Sequence, residues 1–238
     1  MSLEVPSTFK MFGLTFTSVN MISATLAAII VFLVIFALSR NLQLRPTKRQ
    51  NVLEWMADFT NGIVKGSIEG SNAKAFNLFA FVLFFFIFIS NQLGLFIQVA
   101  WNGETYIKSP TADPIITLTL ALISLTLAHF AGVMKFGFKK YFTNTYFKPF
   151  VWWLPISVFE EFTNFLTLGL RIFGNIFAGE MLLKLIANFA VPHGIIMMVA
   201  MAPFELAWQG FSVFLGSIQA FVFVTLTSVY ISQKIQSE

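Results

Sequence analysis

The chain has 238 residues, of which 57% are hydrophobic and 11% charged, with a formal net charge of +4 and a mean hydropathy of +0.77. A soluble domain sits nearer a quarter charged, so this is an integral membrane protein, and its modest positive charge is no signal for a nucleic-acid partner. There are no cysteines, which excludes a disulfide framework, a thiolate metal site and a Cys nucleophile.

Residues 19–39, "VNMISATLAAIIVFLVIFALS", predict a first spanning helix, too long to be a cleavable signal. Arg40, Arg45, Lys48 and Arg49 follow it. Residues 50–71 are amphipathic instead: Val52, Trp55, Met56, Phe59 and Ile63 recur at three- and four-residue spacing. That segment is expected to lie on the membrane surface. Residues 75–100 predict a second span, and a polar loop, "WNGETYIKSPTAD", comes next. Residues 114–134 predict a third span, with Asp113 as N-cap and Pro114 at the first helical position. Lys135, Lys139, Lys140 and Lys148 mark the loop after it.

The two basic loops flank a pair of spans, whereas the loop inside that pair has only Lys108. Basic loops face the cytoplasm, so the N-terminus is expected outside and Lys234 inside.

Residues 151–191 and 194–233 are two apolar stretches. As single helices each would be about 60 Å long at 1.5 Å per residue, twice the bilayer core. Each folds either as two spans or as one long tilted helix, and charge counting permits both. The clearest break is "AVPHG", 190–194, between the stretches, and Pro203 is the one interruption within the second. Two steeply tilted helices forming a hairpin are therefore favoured. The fold class is all-α: about five transmembrane helices plus the amphipathic surface helix.

Within "LGLRIFGNIFAGEMLLKL", 168–185, lies Arg171. An Arg at a helix centre costs about 2.5–3.5 kcal/mol on insertion scales, and it cannot carry protons because it never deprotonates. Its role must be electrostatic. Asn175, one turn on, shares its face, while Glu180 falls on the opposite face about 13 Å along. Glu180 and Lys184 are one turn apart and suited to pair. On the last stretch Glu205, Ser212 and Gln219 recur every seven residues, with Gln209 and Gly216 beside them, so a polar stripe faces the preceding helix. The plainer alternative makes Asn175, Gln209 and Ser212 inter-helix glue, Glu180–Lys184 a structural ion pair, and Arg171 a snorkelling side chain. Glu160 and Glu161 are either solvated interface charges or the entrance of an aqueous path, His129 is an interfacial or packing residue and His193 a turn residue. No His- or Cys-rich cluster suggests a metal, and no cofactor is expected.

At these residues the sequence resembles subunit a of the F-type rotary ATP synthase, bacterial type. The resemblance rests on "LTLGLRIFGNIFAGEMLLKL" (166–185), "GSIQAFVFVTLTSVYIS" (216–232), "FFFIFISNQLGLF" (84–96) and "SPTADPIITLTLAL" (109–122). It implies that the long hairpin lies against a rotor ring of c subunits, within a complex that also holds the b subunits of the peripheral stalk. It implies that Arg171 meets the ring carboxylate, with Gln219 and Asn175 beside it. Glu180 would line the outer half-channel, Asp113 its mouth, and Glu160 and Glu161 the inner mouth. One departure stands out: Ser212 occupies a position where many members carry Glu or His, and the nearest acid on that stripe is Glu205, so Glu205 substituting through water is the expectation that follows. The chain has no GxxxxGK[ST] phosphate loop, so it is expected to be non-catalytic, a proton-translocating subunit of the bacterial plasma membrane. The alternative is a stand-alone secondary transporter or channel, against which no paired halves with matching interruptions are found.

Overall fold

The structure, a computed structural model, describes residues 8–11, 14–40, 43, 48–68, 70–97, 99–101, 104–146, 152, 154–190, 192 and 194–236. Arg45, Lys148 and His193 lie outside the described residues. Strands β1 (Thr8–Met11) and β2 (Leu14–Thr17) form an antiparallel ribbon with Thr8 opposite Thr17. Helices α1 (Ser18–Ser39), α2 (Lys48–Ser67) and α3 (Ala73–Phe96) follow. A second ribbon pairs β3 (Val99–Trp101) with β4 (Glu104–Ile107), and a 3-10 turn covers Pro110–Ala112. Then come α4 (Pro114–Phe136), α5 (Phe138–Tyr146), α6 (Leu154–Ala190) and α7 (Ile195–Gln236).

Among the described residues the fold is all-α apart from the two ribbons, and five helices, α1, α3, α4, α6 and α7, are long and apolar enough to cross a membrane. The alternative of two spans per long stretch is not what forms. α6 runs unbroken for 37 residues and α7 for 42, through Pro203. At 1.5 Å per residue they measure about 55 and 63 Å.

Two expectations need correction. The second span ends at Phe96 rather than residue 100, because Val99–Trp101 pairs with Glu104–Ile107 as a ribbon. The basic loop after α4 contains a helix, α5. Gly137 at φ 79° turns the chain out of α4, donates its N–H to Val133 O at 2.8 Å, and accepts the Tyr141 N–H at 2.9 Å. A left-handed backbone there suits glycine. The amphipathic segment forms α2, which buries Gln50, Thr60, Ile63 and Val64, while Val52 and Trp55 remain 48% and 68% exposed. Its packing face is rotated roughly a quarter turn from the apolar stripe at 100° per residue, which leaves most of that stripe outward.

The residues group into two compact units. One comprises Met1–Ala37, Phe85–Pro114 and Ile172–Ala220; the other comprises Leu38–Phe84, Ile115–Arg171 and Phe221–Glu238. In the first, Ile87, Ile172 and Ala220 are fully buried; in the second, Val64, Ala121, Ala128 and Phe223 are. Phe59 of α2 packs edge-on against Phe84 at 5.3 Å and lies 6.1 Å from Phe221.

Within the second unit α5 is seated by one side chain. Tyr141 is 4% exposed, and its ring lies against Gly132 of α4, where a Cβ would sit 2.8 Å from Tyr141 Cδ2 and 3.0 Å from Lys234 O. Gly132→Val is expected to unseat α5, with a stability loss of about 1–3 kcal/mol, the usual penalty of overpacking. Thermal denaturation in detergent reads it; an unchanged melting temperature would remove this packing role.

Candidate functional site

Arg171 lies mid-way along α6, half-buried. Among the described residues its guanidinium makes no hydrogen bond and no ion pair within 4 Å. A permanent cation thus sits on a membrane-length apolar helix with no carboxylate of the described residues within 4 Å. One turn further along α6, Asn175 Nδ2 donates to Gln219 Oε1 of α7 at 3.0 Å. Gln219 is 4% exposed, so the stripe on α7 does meet the polar residues of α6.

Glu180 is 6% exposed. It does not pair with Lys184, which is exposed. Its Oε1 instead accepts the Ser109 backbone N–H at 3.0 Å. A buried carboxylate needs donors, and a rigid backbone N–H provides one without the entropy of holding a long lysine. Ser109 is itself fixed. Its Oγ donates to Ser90 O of α3 at 2.6 Å and touches Thr111 Oγ1 at 2.9 Å. Thr111 Oγ1 donates to Asn91 Oδ1 at 2.7 Å, and Asn91 Nδ2 donates to Gly216 O of α7 at 2.8 Å. The Gly216 carbonyl requires a donor, which sets the Asn91 amide orientation and makes Oδ1 the acceptor for Thr111. Three oxygen–oxygen contacts therefore share two hydroxyl hydrogens, so the Ser109–Thr111 contact has no proton of its own while both others are made.

Two further amides tie α3 to α7. Gln92 Nε2 donates to Val213 O at 3.1 Å and Ser217 Oγ at 3.3 Å, and Gln209 Nε2 donates to Leu95 O at 2.8 Å. Trp208 Nε1 donates to Gly179 O at 3.2 Å. Ser212 is buried beside Gly179, 3.3 Å from where a Cβ there would sit. Among the described residues the buried side-chain atoms Ser90 Oγ, Gln92 Oε1 and Ser212 Oγ have no hydrogen-bond partner. Glu205 stands exposed on α7 and joins none of these bonds. Asp113 directly precedes α4, as an N-cap would, and its Oδ2 accepts Asn20 Nδ2 of α1 at 2.5 Å. Ser23 Oγ of α1 accepts the Lys108 N–H at 3.3 Å.

The second unit holds a different cluster. Glu161 of α6 takes Lys234 Nζ of α7 on Oε1, and its Oε2 lies 3.4 Å from His129 Nε2 of α4. His129 Nδ1 meets Tyr141 Oη at 2.6 Å. The neighbouring Glu160 is exposed. Tyr230 Oη lies 3.5 Å from Asn164 Oδ1. Sequence reasoning assigned no part to Ser90, Asn91, Gln92, Ser109 or Thr111, and treated His129 as packing. The run "SNQ" inside an apolar span was the available signal, since polar residues at membrane depth are rare without a function or a partner.

The family model described as ATP synthase A chain matches residues 21–232. The chain is 63% identical over 238 residues, the whole of both chains, to ATP synthase subunit a of Pediococcus pentosaceus. It is 59% identical over 231 residues to ATP synthase subunit a of Limosilactobacillus fermentum, covering 97% of this chain and 98% of that one. With ATP synthase subunit a of Enterococcus hirae the identity is 50% over 214 residues, 90% of each chain. The match of the family model over most of the length, with relatives this similar end to end, shows that the chain belongs to the ATP synthase A chain family.

Proposed function

We propose that the chain is the proton-translocating stator subunit of the membrane sector of an F-type ATP synthase, acting as one membrane body in the bacterial plasma membrane with its N-terminus outside and C-terminus inside. The ring of c subunits supplies the carboxylates on which protons ride, and b subunits of the peripheral stalk hold the chain against rotation. The observation that carries this reading is Arg171: a permanent cation on a membrane-length helix, with no carboxylate partner among the described residues of its own chain.

Protons enter an outer half-channel past Asp113 and Glu180, with the exposed Glu205 as the nearest acid to Ser212 along the α7 stripe. The first unit's buried polar atoms without a protein partner are the kind that internal water serves. Each proton neutralises a ring carboxylate. A neutral carboxyl enters lipid far more readily than an ionised one, so the loaded site moves off and the ring turns. At the inner half-channel, near Glu160 and Glu161, the proton leaves. Arg171 stands between the half-channels, holds the ionised carboxylate and repels protons that would cross directly. Asn175 and Gln219 set the surface beside it. Moving one charge through 100 mV is worth about 2.3 kcal/mol. Phosphoryl chemistry belongs to partner subunits.

Purification in mild detergent tests the assignment. The chain is expected to copurify with a ring of small two-helix subunits, each bearing a mid-membrane carboxylate. A chain recovered alone that transports protons in liposomes would overturn it in favour of a stand-alone transporter.

A further inference from the structure

We propose that Asn20 of α1 is a positioning residue of the outer proton path: it orients the carboxylate of Asp113 and so joins the first span to the entry of that path. The inference rests on the function proposed above. Of the five membrane-length helices, α1 has the smallest buried share. Its buried residues, Asn20, Ser23, Ala27 and Val31, recur every three or four positions and form one face. The first two on that face are polar. A buried polar group costs free energy unless it is hydrogen-bonded, so apolar residues would fill both positions at less cost. Their polarity calls for partners, and both partners lie in one short segment, 108–113.

α1 holds that segment at its two ends. Asn20 is 8% exposed, and its Nδ2 donates to Asp113 Oδ2 at 2.5 Å. Ser23 is fully buried and accepts the Lys108 N–H on its Oγ at 3.3 Å. Between them the backbone closes on itself: Ala112 N–H donates to Ser109 O at 3.1 Å, and Asp113 N–H to Pro110 O at 3.2 Å. Ser109 and Thr111 are fully buried, and the Ser109 N–H is the donor that seats Glu180. One face of α1 therefore steadies the segment that carries one acid of the outer path and the seat of another. An ionised carboxylate only accepts, so the Asn20 amide must turn its NH2 towards Asp113. Its Oδ1 points elsewhere, buried and, among the described residues, without a hydrogen-bond partner. A buried carbonyl of that kind is served by internal water. No proton passes through the amide; it fixes where the acid stands.

The test uses the whole complex in inverted vesicles, with ATP-driven acidification normalised to assembled complex. Asn20→Leu keeps the acid and removes the bond. Pumping is expected to fall about tenfold, less than the hundredfold that a misplacement of about 1 Å can cost, because Asp113 keeps its other interactions. Asn20→Asp sets two carboxylates against each other, which holds one of them protonated, and should lower pumping as well. Exchanging the pair, Asn20→Asp with Asp113→Asn, rebuilds the amide–carboxylate bond with the acid on α1. It is expected to recover much of the rate that either single change loses, whereas two independent defects would add. A bond that only packs α1 gives a different pattern: Asn20→Leu lowers assembly or melting temperature, yet the complexes that form pump at the wild-type rate. That pattern overturns the proposal, and so does an exchanged pair that assembles but pumps no better than its single variants. Should Asn20→Leu not assemble, the exchanged pair, which keeps the bond, decides alone. Wild-type pumping by Arg171→Ala would instead show that the underlying function has failed.

Discussion

Arg171→Ala is expected to abolish ATP-driven acidification of inverted vesicles while the complex still assembles. Assembly should survive because the substitution removes a charge whose insertion costs about 2.5–3.5 kcal/mol and leaves an apolar helix apolar. Among the described residues no hydrogen-bond or ion-pair partner is lost either, since the guanidinium makes neither there. What disappears is attraction for a carboxylate on another chain. Unit charges 4 Å apart in a medium of effective dielectric 20 attract by about 4 kcal/mol, and each 1.36 kcal/mol is tenfold, so about a thousandfold in coupled rate is at stake. Arg171→Lys keeps a charge but replaces a rigid fork with a strongly hydrated ammonium that deprotonates more readily when buried. It should pump measurably but below wild type. Wild-type pumping by Arg171→Ala would make the residue structural and would refute the half-channel scheme.

Local rules reached far in this chain. Hydropathy and length located every membrane-length helix among the described residues, and the absence of a turn inside 151–191 or 194–233 was enough to favour single long helices. The cost of an intramembrane arginine singled out Arg171, and a seven-residue period brought out the stripe of Ser212 and Gln219. The misses share one cause. One-turn spacing suits Glu180 to pair with Lys184, yet its donor is Ser109, 71 residues away. Asn91 is anchored by Gly216, 125 residues away. Glu161 and Lys234 are separated by 73 residues. Periodicity reports which face a residue occupies and nothing about which residue of another helix will meet it. α5 was missed for a related reason. Its Phe and Lys residues read as a basic loop, and what seats it is the Tyr141 ring against Gly132 of the neighbouring helix.

Gly94→Ala is the second substitution with a large expected effect, and it acts on Glu180 without touching its chemistry. A Cβ on Gly94 would run into Glu180 Oε1 and the Ser109 backbone, with Ser109 Cβ only 2.7 Å away. α3 cannot retreat to make room. Asn91, Gln92 and the Leu95 carbonyl bind it to α7, and a Cβ at Gly216 would already lie 3.2 Å from Asn91 Cβ. The part that yields is the carboxylate, which loses the Ser109 N–H. Overpacking of this kind costs about 1–3 kcal/mol, so stability should fall modestly. Pumping should fall further, by about ten- to a hundredfold if a comparable energy is lost from the proton-transfer geometry. Shortening the acid supplies the control. Glu180→Asp draws the carboxyl back by one methylene, so in the Gly94→Ala background it should restore part of the rate, although alone it impairs a well-seated side chain. Reciprocal rescue is a signature that general loss of packing cannot produce, because two independent defects would add. If Gly94→Ala pumps like wild type while Glu180→Gln is inactive, Glu180 works from a position other than the seat Ser109 gives it.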